Sequence, residues 1–178
     1  MHPAEHETDS TQAAPRLRTA LELIRFARRY TLDLLGSIET DDWYRVPEGC
    51  PTHVAWQVGH LAMAEYMLTL FRLRGRVDAD AELIPRAFLK TFAKGTRPLA
   101  DAAFRPSPQQ LLQVLHRVHE QALTELQPLC DEDLHSPVIE PYAVEPTVLG
   151  SLLFCSQHEM LHAGQIGLIR RLLGYAPR

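Results

Sequence analysis

The stretch Cys155-Ser-Gln-His-Glu-Met-Leu-His-Ala-Gly-Gln-Ile166 carries the strongest structural signal in this chain of 178 residues. It places His158 and His162 four residues apart. On an α-helix that spacing separates two side chains by about 40° around the axis and about 6 Å along it, so both imidazoles leave the same face. A divalent metal accepts one nitrogen from each at about 2.0–2.1 Å. The stretch therefore predicts a helix with a metal-binding face.

The pattern His158-Glu159-x-x-His162 also occurs in zinc metalloproteases, but the residues after it exclude that class. Metzincins have a glycine three residues after the second histidine and a third histidine three residues later, where this chain has Gln165 and Leu168. Thermolysin-like enzymes take a glutamate ligand from a later helix. Residues 163–178 contain no Glu, Asp, His or Cys, so a third ligand has to come from upstream.

His60 is the upstream histidine whose surroundings best fit a ligand. It lies in Trp56-Gln-Val-Gly-His-Leu-Ala-Met-Ala-Glu-Tyr-Met-Leu-Thr-Leu-Phe71, and Gly59 beside it predicts that a neighbouring backbone comes close. Helical spacing puts His60 in an inward-facing stripe, and the last helix has an equivalent one. The first stripe is His53, Trp56, His60, Met63, Met67 and Leu70, and the second is Cys155, His158, His162, Gln165, Ile169 and Leu172. Because buried imidazoles need polar partners, we predict one metal shared by His60, His158 and His162.

Other histidines are weaker candidates for the third ligand. A lone histidine on an apolar stripe is more often a hydrogen-bonded core residue, so His60 is persuasive only together with the helical pair. His119 lies on a third apolar stripe and is the alternative, with His116 behind it. His53 lies about 10.5 Å from His60 along a helix axis, too far to share its metal, and is expected at a helix start.

Three further residues near the pair have alternative roles. Glu159 is a candidate general base, although a carboxylate behind a ligand or at the surface is the commoner role. Gln165, one turn beyond His162, is a candidate hydrogen-bonding partner for a ligand. Cys155, one turn before His158, is either a fourth ligand or an ordinary core residue.

Composition and charge exclude several classes of protein. The chain is 46% hydrophobic with a net charge of −4, and its length fits one domain with a sizeable core. Lys and Arg form no basic stripe of the kind that binds nucleic acid, and Arg25, Arg28 and Arg29 are expected on a solvated helix face. No apolar run is long enough for a membrane span. Three cysteines without framework spacing indicate reduced thiols and a cytoplasmic location.

The periodicity predicts an all-α fold with four long helices. They cover about 16–38, 53–73, 107–127 and 147–174, with a short helix at 84–92. Thr52 and Ser107 are expected as caps, and Thr147 or one of its neighbours starts the last helix. Residues 1–15, which include His2 and His6, form a flexible tail without the apolar core of a signal peptide, and 16–178 form the domain. The link over 74–106 is long for an up-and-down bundle, so the second and third helices should run parallel through a crossover.

The chain resembles the DinB/YfiT-like superfamily over about residues 16–175. The resemblance rests on Trp-Gln-Val-Gly-His60-Leu-Ala, the long crossover, and His158-Glu-Met-Leu-His162-Ala-Gly-Gln-Ile-Gly-Leu-Ile-Arg-Arg-Leu-Leu-Gly. It implies a four-helix bundle of up-down-down-up topology whose three metal-binding histidines match His60, His158 and His162. It also implies thiol-dependent transferase or isomerase chemistry with low-molecular-weight thiols such as mycothiol or bacillithiol.

Three imidazole ligands leave a coordination position open, which is typical of a catalytic site. The metal, which the ligands do not distinguish among Zn, Ni, Fe, Co and Mn, would activate either a thiol or a water. A thiol-dependent S-transferase acting on a small molecule is the leading hypothesis. The alternatives are a metal-dependent hydrolase and a non-catalytic metal-binding bundle. Phe88, Phe92 and Phe104 suggest a homodimer if they are exposed, although they may instead cover the ends of the bundle.

Overall fold

The computed structural model describes residues 15–96, 98, 104–141 and 145–178, and these residues form an all-helical structure. They contain no named strand, and their one isolated bridge pairs Pro137 with Thr147. The proposed tail, with His2 and His6, lies outside the described residues. The helices are α1 (Pro15–Leu35), α2 (Val54–Tyr66), α3 (Arg72–Arg74), α4 (Asp80–Leu83), α5 (Arg86–Thr91), α6 (Pro108–Leu126), α7 (Asp131–Leu134) and α8 (Val148–Leu172).

The first helix ends three residues earlier than predicted. Gly36 and Ser37 follow Leu35, and the chain turns there, with the Ile38 N–H donating to the Leu35 carbonyl at 3.0 Å. Ile38 remains in the core although it has left the helix. Apolar periodicity alone therefore overestimated the length of α1, because a buried side chain beyond the helix end continues the same pattern.

The second helix begins at Val54, and its N-cap is His53 rather than the predicted Thr52. The His53 side chain accepts a hydrogen bond from the Trp56 N–H, which confirms His53 as a helix-start residue. The Thr52 hydroxyl instead accepts a hydrogen bond from the Gln57 side chain at 3.3 Å. Beyond Tyr66 the helix widens into a π-helical segment, Met67–Phe71, before it continues as α3.

The connection between α3 and α6 contains two short helices, α4 and α5. The second lies within the helix predicted at 84–92. Phe88 and Phe92 are buried, at 2% and 3% exposure, whereas Phe104 is 39% exposed. Two of the three aromatic residues that motivated a homodimer therefore cover the helices of this chain, and the homodimer remains a prediction.

The predicted starts of the last two long helices are confirmed. Ser107 forms a capping box with Gln110 at the start of α6, and the Thr147 side chain accepts from the Gly150 N–H at the start of α8. The last helix ends at Leu172 and is followed by Gly174, whose φ of 95° reverses the chain. These ends agree with the sequence-based prediction because short-range side-chain chemistry sets them.

The helix carrying His158 and His162 lies between α1 and α2. It runs antiparallel to α2, because Gln57 pairs with His162 while the Leu68 carbonyl accepts from Ser151. None of the helices among the described residues is both long enough and apolar enough to cross a membrane.

The directions of α1 and α6 follow from two contacts along each of them. The first helix runs parallel to α8, with Arg28 bonded to Glu159 and Ser37 to Arg170. The sixth runs parallel to α2 and α3, through the pairs Glu65–His119 and Arg74–Glu125. The first helix therefore packs along α8 and the sixth along α2, while the histidine-bearing faces of α2 and α8 meet each other.

Candidate metal centre

Three histidines from two facing helices meet at one point. His60 comes from α2 and His158 and His162 come from α8, and one ligand atom of each lies within 4.8 Å of the other two. Their ring centroids are 4.5–5.3 Å apart. Among the described residues this is the one such group of His, Cys, Asp and Glu side chains. Cys155 does not belong to it, so its position does not fit a fourth ligand.

Hydrogen bonds fix the orientation of two of the rings. Nδ1 of His60 lies 2.8 Å from the Phe92 carbonyl oxygen, and Nδ1 of His162 lies 2.5 Å from the side-chain oxygen of Gln57. Both partners are acceptors, so each Nδ1 carries the proton and each Nε2 retains its lone pair. Metal-binding histidines have this arrangement in general, with one nitrogen on a carbonyl and the other on the metal.

The three imidazoles are neutral at neutral pH. Burial, and then the proximity of the other rings, lowers the pKa of His162 to about 3. Burial, followed by His60 and Lys94, lowers the pKa of His158 to about 4. Burial also lowers the pKa of His60, and its bond to Phe92 opposes this only in part. Neutral imidazole is the form that binds a metal, so the rings need not lose a proton first.

Phe92 contacts α2 through both its ring and its carbonyl. A Cβ on Gly59 would lie 2.4 Å from the Phe92 ring, so only glycine lets the ring come this close. The sequence predicted a neighbouring backbone at Gly59, whereas the nearest atoms there belong to the Phe92 side chain. Trp56 stacks on His60 from the neighbouring turn, with ring centroids 4.8 Å apart and planes 10° apart. Together these two aromatic residues and the Phe92 carbonyl hold the His60 ring in place.

The three histidines open onto a cleft of about 410 Å³. His158 and His162 are partly exposed, whereas His60 is buried. No carboxylate occurs among the described residues that line the cleft. The lining consists of Trp56, His60, Met63, Ala64, Met67, Leu68, Arg72, Lys94, Gly95, Phe154, His158 and His162.

Glu159 faces away from the cleft, into a buried ionic cluster between the long helices. Both of its oxygens accept from Arg28, at 2.8 and 3.1 Å. Arg28 also donates to Glu65 at 2.9 Å, and Glu65 lies 2.7 Å from Nδ1 of His119. The prediction that Arg28 lies on a solvated face is wrong, because its side chain is 3% exposed. His119 belongs to this ionic cluster and is not one of the three grouped histidines.

The two other residues considered for the site lie away from the grouped nitrogens. Gln165 is exposed, and the amide bonded to a ligand candidate is that of Gln57. Cys155 is buried, and burial followed by the charges of Glu65 and Glu159 raises the pKa of its thiol well above the usual value. The charged groups that act on the Cys155 thiol are therefore those of the ionic cluster, Glu65, Glu159 and Arg28.

Sequence reasoning missed Gln57 and Phe92, which orient the rings, and Glu65 and Arg28, which form the cluster. Gln57 gave one usable signal, since it is a buried amide in an otherwise apolar helix. Glu65 gave the same signal, because a carboxylate within the apolar run of α2 needs a cation from another element. Phe92 acts through its backbone carbonyl, and no sequence pattern reports such a contact.

The fold and the site define a class of protein: over the described residues it is all-helical, with a three-histidine candidate metal centre between two antiparallel helices. Comparison with known families agrees with this description. A model of the DinB superfamily matches residues 23–166, and the chain belongs to that superfamily. No curated protein matches the chain.

Proposed function

We propose that this chain is a metal-dependent enzyme of the thiol-dependent S-transferase type, with His60, His158 and His162 as the metal ligands. The observation that carries the proposal is a group of three neutral imidazoles at the edge of an accessible, largely apolar cleft. Membership of the DinB superfamily supports it. Zn, Ni, Fe, Co and Mn all accept such ligands.

The donor set fits a divalent metal. Each ring offers one nitrogen, and in His60 and His162 the other nitrogen already donates to a protein oxygen. When bound, the metal would supply a Lewis acid with an open coordination position, at which a thiol or a water loses its proton more readily. The protein's part is to hold the imidazoles neutral, to orient them through Phe92 and Gln57, and to admit a substrate along the cleft.

The surroundings of the histidines favour a thiol over water as the nucleophile. A free thiol has a pKa of about 8.5 and needs little help to ionise, whereas activation of water usually relies on a positioned base. No carboxylate lines the cleft among the described residues. Glu159, the base candidate in the sequence, has both oxygens bonded to Arg28.

We also propose that α1, α2 with α3, α6 and α8 form a bundle of up-down-down-up topology. The pairwise directions support it: α2 and α8 antiparallel, α1 and α8 parallel, and α2 and α6 parallel. The long link between α3 and α6 serves as the crossover in this topology. Cytoplasmic location and a small-molecule partner, without nucleic acid or membrane, remain predictions.

Metal binding is the first test of the proposal. We expect one divalent ion per chain in protein purified without an affinity tag, measured by elemental analysis. Alanine at His60, His158 or His162 should lower the occupancy at least about tenfold, because a three-ligand site that loses one ligand loses most of its affinity. The exposed His116 provides the matched control, and His116→Ala should retain the metal. Full occupancy in His60→Ala would remove His60 from the site and make His119 the candidate.

Product analysis then tests the chemistry. The metal-loaded protein is incubated with a panel of low-molecular-weight thiols and electrophiles, with His158→Ala as the control for metal-dependent turnover. Thioether or isomerised products that require both thiol and metal support the proposal. Products formed at the same rate without thiol would identify a hydrolase. Stability that depends on the metal, with no turnover of either kind, would identify a non-catalytic bundle.

A further inference from the structure

The cleft beside the three histidines has apolar walls along most of its length. Its lining includes Met63 of α2, Met67 and Leu68 of the π-helical segment that follows α2, and Phe154 of α8. Its volume of about 410 Å³ lies within the range of sites that enclose small organic molecules. Methionine and aromatic side chains adapt to ligands that are themselves apolar or aromatic. The walls therefore favour a ligand with a substantial apolar body.

The charged side chains that line the cleft are all cationic among the described residues. Arg72 and Lys94 contribute to its lining, and no Asp or Glu does. Lys94 is close enough to His158 for its charge to help lower the pKa of that ring. Cations of one sign against low-dielectric walls concentrate their field within the cleft, so an anion is favoured over a neutral or cationic ligand.

The two cations mark different parts of the cleft. Arg72 lies twelve residues beyond His60, which corresponds to about 18 Å along a helix axis. Its Nε donates to the Glu140 carbonyl at 2.7 Å, which steadies the guanidinium. Lys94 lies beside the histidines. Met67 and Phe154 line the same cleft, and the centroids of the Phe154 and His158 rings are 5.7 Å apart.

We infer that the cleft binds an elongated organic anion: an apolar or aromatic body with a carboxylate or comparable anionic group, selected by the combined charge of Arg72 and Lys94. The inference rests on the proposed function in one respect, since it makes this anion the substrate whose reacting end faces the histidines. Anion selection itself comes from the cleft and is present without a metal.

The test compares a carboxylic acid with its uncharged amide on metal-free protein. The probes are phenylacetic, 4-phenylbutyric and 8-phenyloctanoic acids with the corresponding amides, titrated by calorimetry. We expect the acids to bind at least about fivefold more tightly than their amides, and the longer pairs more tightly than phenylacetate. Acids and amides of equal affinity, or no binding of any probe, would overturn the inference.

A matched pair of double variants assigns the selectivity to the cleft. In Arg72→Met/Lys94→Met the preference for the acid should disappear. In Arg86→Met/Lys90→Met, which removes the same charge from exposed positions on α5, the preference should remain. A preference that persists in the first variant, or that falls equally in both, contradicts the assignment.

A second measurement needs no variant. Raising the ionic strength from about 0.02 to about 0.3 M should weaken acid binding to the unaltered protein and leave amide binding unchanged. An acid affinity that does not respond to salt would count against the inference.

Metal occupancy is measured separately, so a protein that selects anions but binds no metal would refute the proposed function and leave this inference intact. A protein that binds metal without selecting anions would refute this inference and leave the metal-binding part of the proposed function intact.

Discussion

Gln57 illustrates how one side chain positions another. Its oxygen accepts from His162 while its nitrogen donates to the Thr52 hydroxyl, so the amide is held at both ends. Replacing it with leucine keeps the approximate volume and removes the acceptor for His162. The His162 ring is then free to turn, and a metal gains less from it.

We predict that Gln57→Leu weakens metal binding about 10- to 100-fold, measured by competition with a chelator. Gln165→Leu is the matched control. Gln165 lies one turn beyond His162 but is exposed, so its replacement should leave the affinity unchanged. A larger loss in Gln165→Leu than in Gln57→Leu would mean that Gln57 does not orient the ligand.

The cap residue His53 makes the stability depend on pH. Burial, with a further contribution from Arg105, lowers the pKa of His53 to about 4 from its unfolded value of 6.5. Above pH 6.5 His53 is neutral in both the folded and the unfolded state, and its contribution to the free energy of unfolding is complete. As the pH falls from 6.5 towards 4, only the unfolded chain gains the proton, so the free energy of unfolding decreases.

Asparagine caps helices well and does not titrate. We therefore predict that His53→Asn reduces the loss of unfolding free energy between about pH 6.5 and 4, measured by urea unfolding with a chelator present. His116→Asn, at an exposed position, should keep the original slope. Equal slopes in the unaltered protein and His53→Asn would show that protonation of His53 does not drive the effect.

Sequence patterns alone predicted three residues of the candidate site individually: His60, His158 and His162. The helical pair and the stripe through His60 follow from local spacing, which a sequence displays directly. The partners of those rings could not be derived in the same way. Phe92 is thirty-two positions away from His60, and Gln57 is 105 positions away from His162, so only the packing of the helices brings them together.

At the scale of the helix, Gly59 sets how closely the connection packs on α2. The Phe92 ring occupies the space that a side chain at position 59 would need. Alanine at position 59 has to displace the buried Phe92 ring. Phe92 also supplies the carbonyl bonded to His60. Overpacking of this kind costs about 1–3 kcal/mol.

We predict that Gly59→Ala lowers the free energy of unfolding by about 1–3 kcal/mol and also weakens metal binding, measured by urea unfolding and chelator competition. Gly164→Ala provides the control on α8, since no atom lies within 4 Å of the added Cβ. There the better helix propensity of alanine should stabilise the protein by about 0.5–1 kcal/mol. A destabilised Gly164→Ala variant would contradict this explanation.

The helix boundaries show where sequence reasoning succeeds at this scale. Ser107 was predicted as a cap and the start of the last helix was placed at Thr147 or its neighbours, because a cap bonds to its own next turn. The π-helical segment Met67–Phe71 was not predicted, since its apolar residues fit an ordinary helical pattern as well. The early end of α1 was missed because Ile38 stays in the core beyond the last helical residue.

At the scale of the molecule, the ionic cluster joins the four long helices. Arg28 from α1 lies between Glu65 of α2 and Glu159 of α8, and His119 of α6 completes it. Burial raises the pKa of Glu65, but Arg28 and His119 outweigh this effect and the net pKa is lowered. A buried cluster of this kind is costly to disrupt, because each removed partner leaves a charge without its counterpart.

We predict that Glu159→Gln destabilises the fold by about 3 kcal/mol and leaves the affinity for metal within about twofold. Urea unfolding and chelator competition measure the two effects. The exposed Glu120 on α6 gives the control, and Glu120→Gln should change neither. If Glu159→Gln instead abolished turnover in a protein of unchanged stability, Glu159 would be a base and hydrolysis would become the leading function.

The π-helical segment also determines where the chain beyond it points. In regular α-helical winding, Arg72 would be rotated by about 120° from His60 after twelve residues, and would face away from the histidines. A π turn takes up about one additional residue, which removes about 100° of that rotation. Both side chains line the same cleft as a result. The number of residues in a single helical turn therefore decides whether Arg72 lines the same cleft as the three histidines.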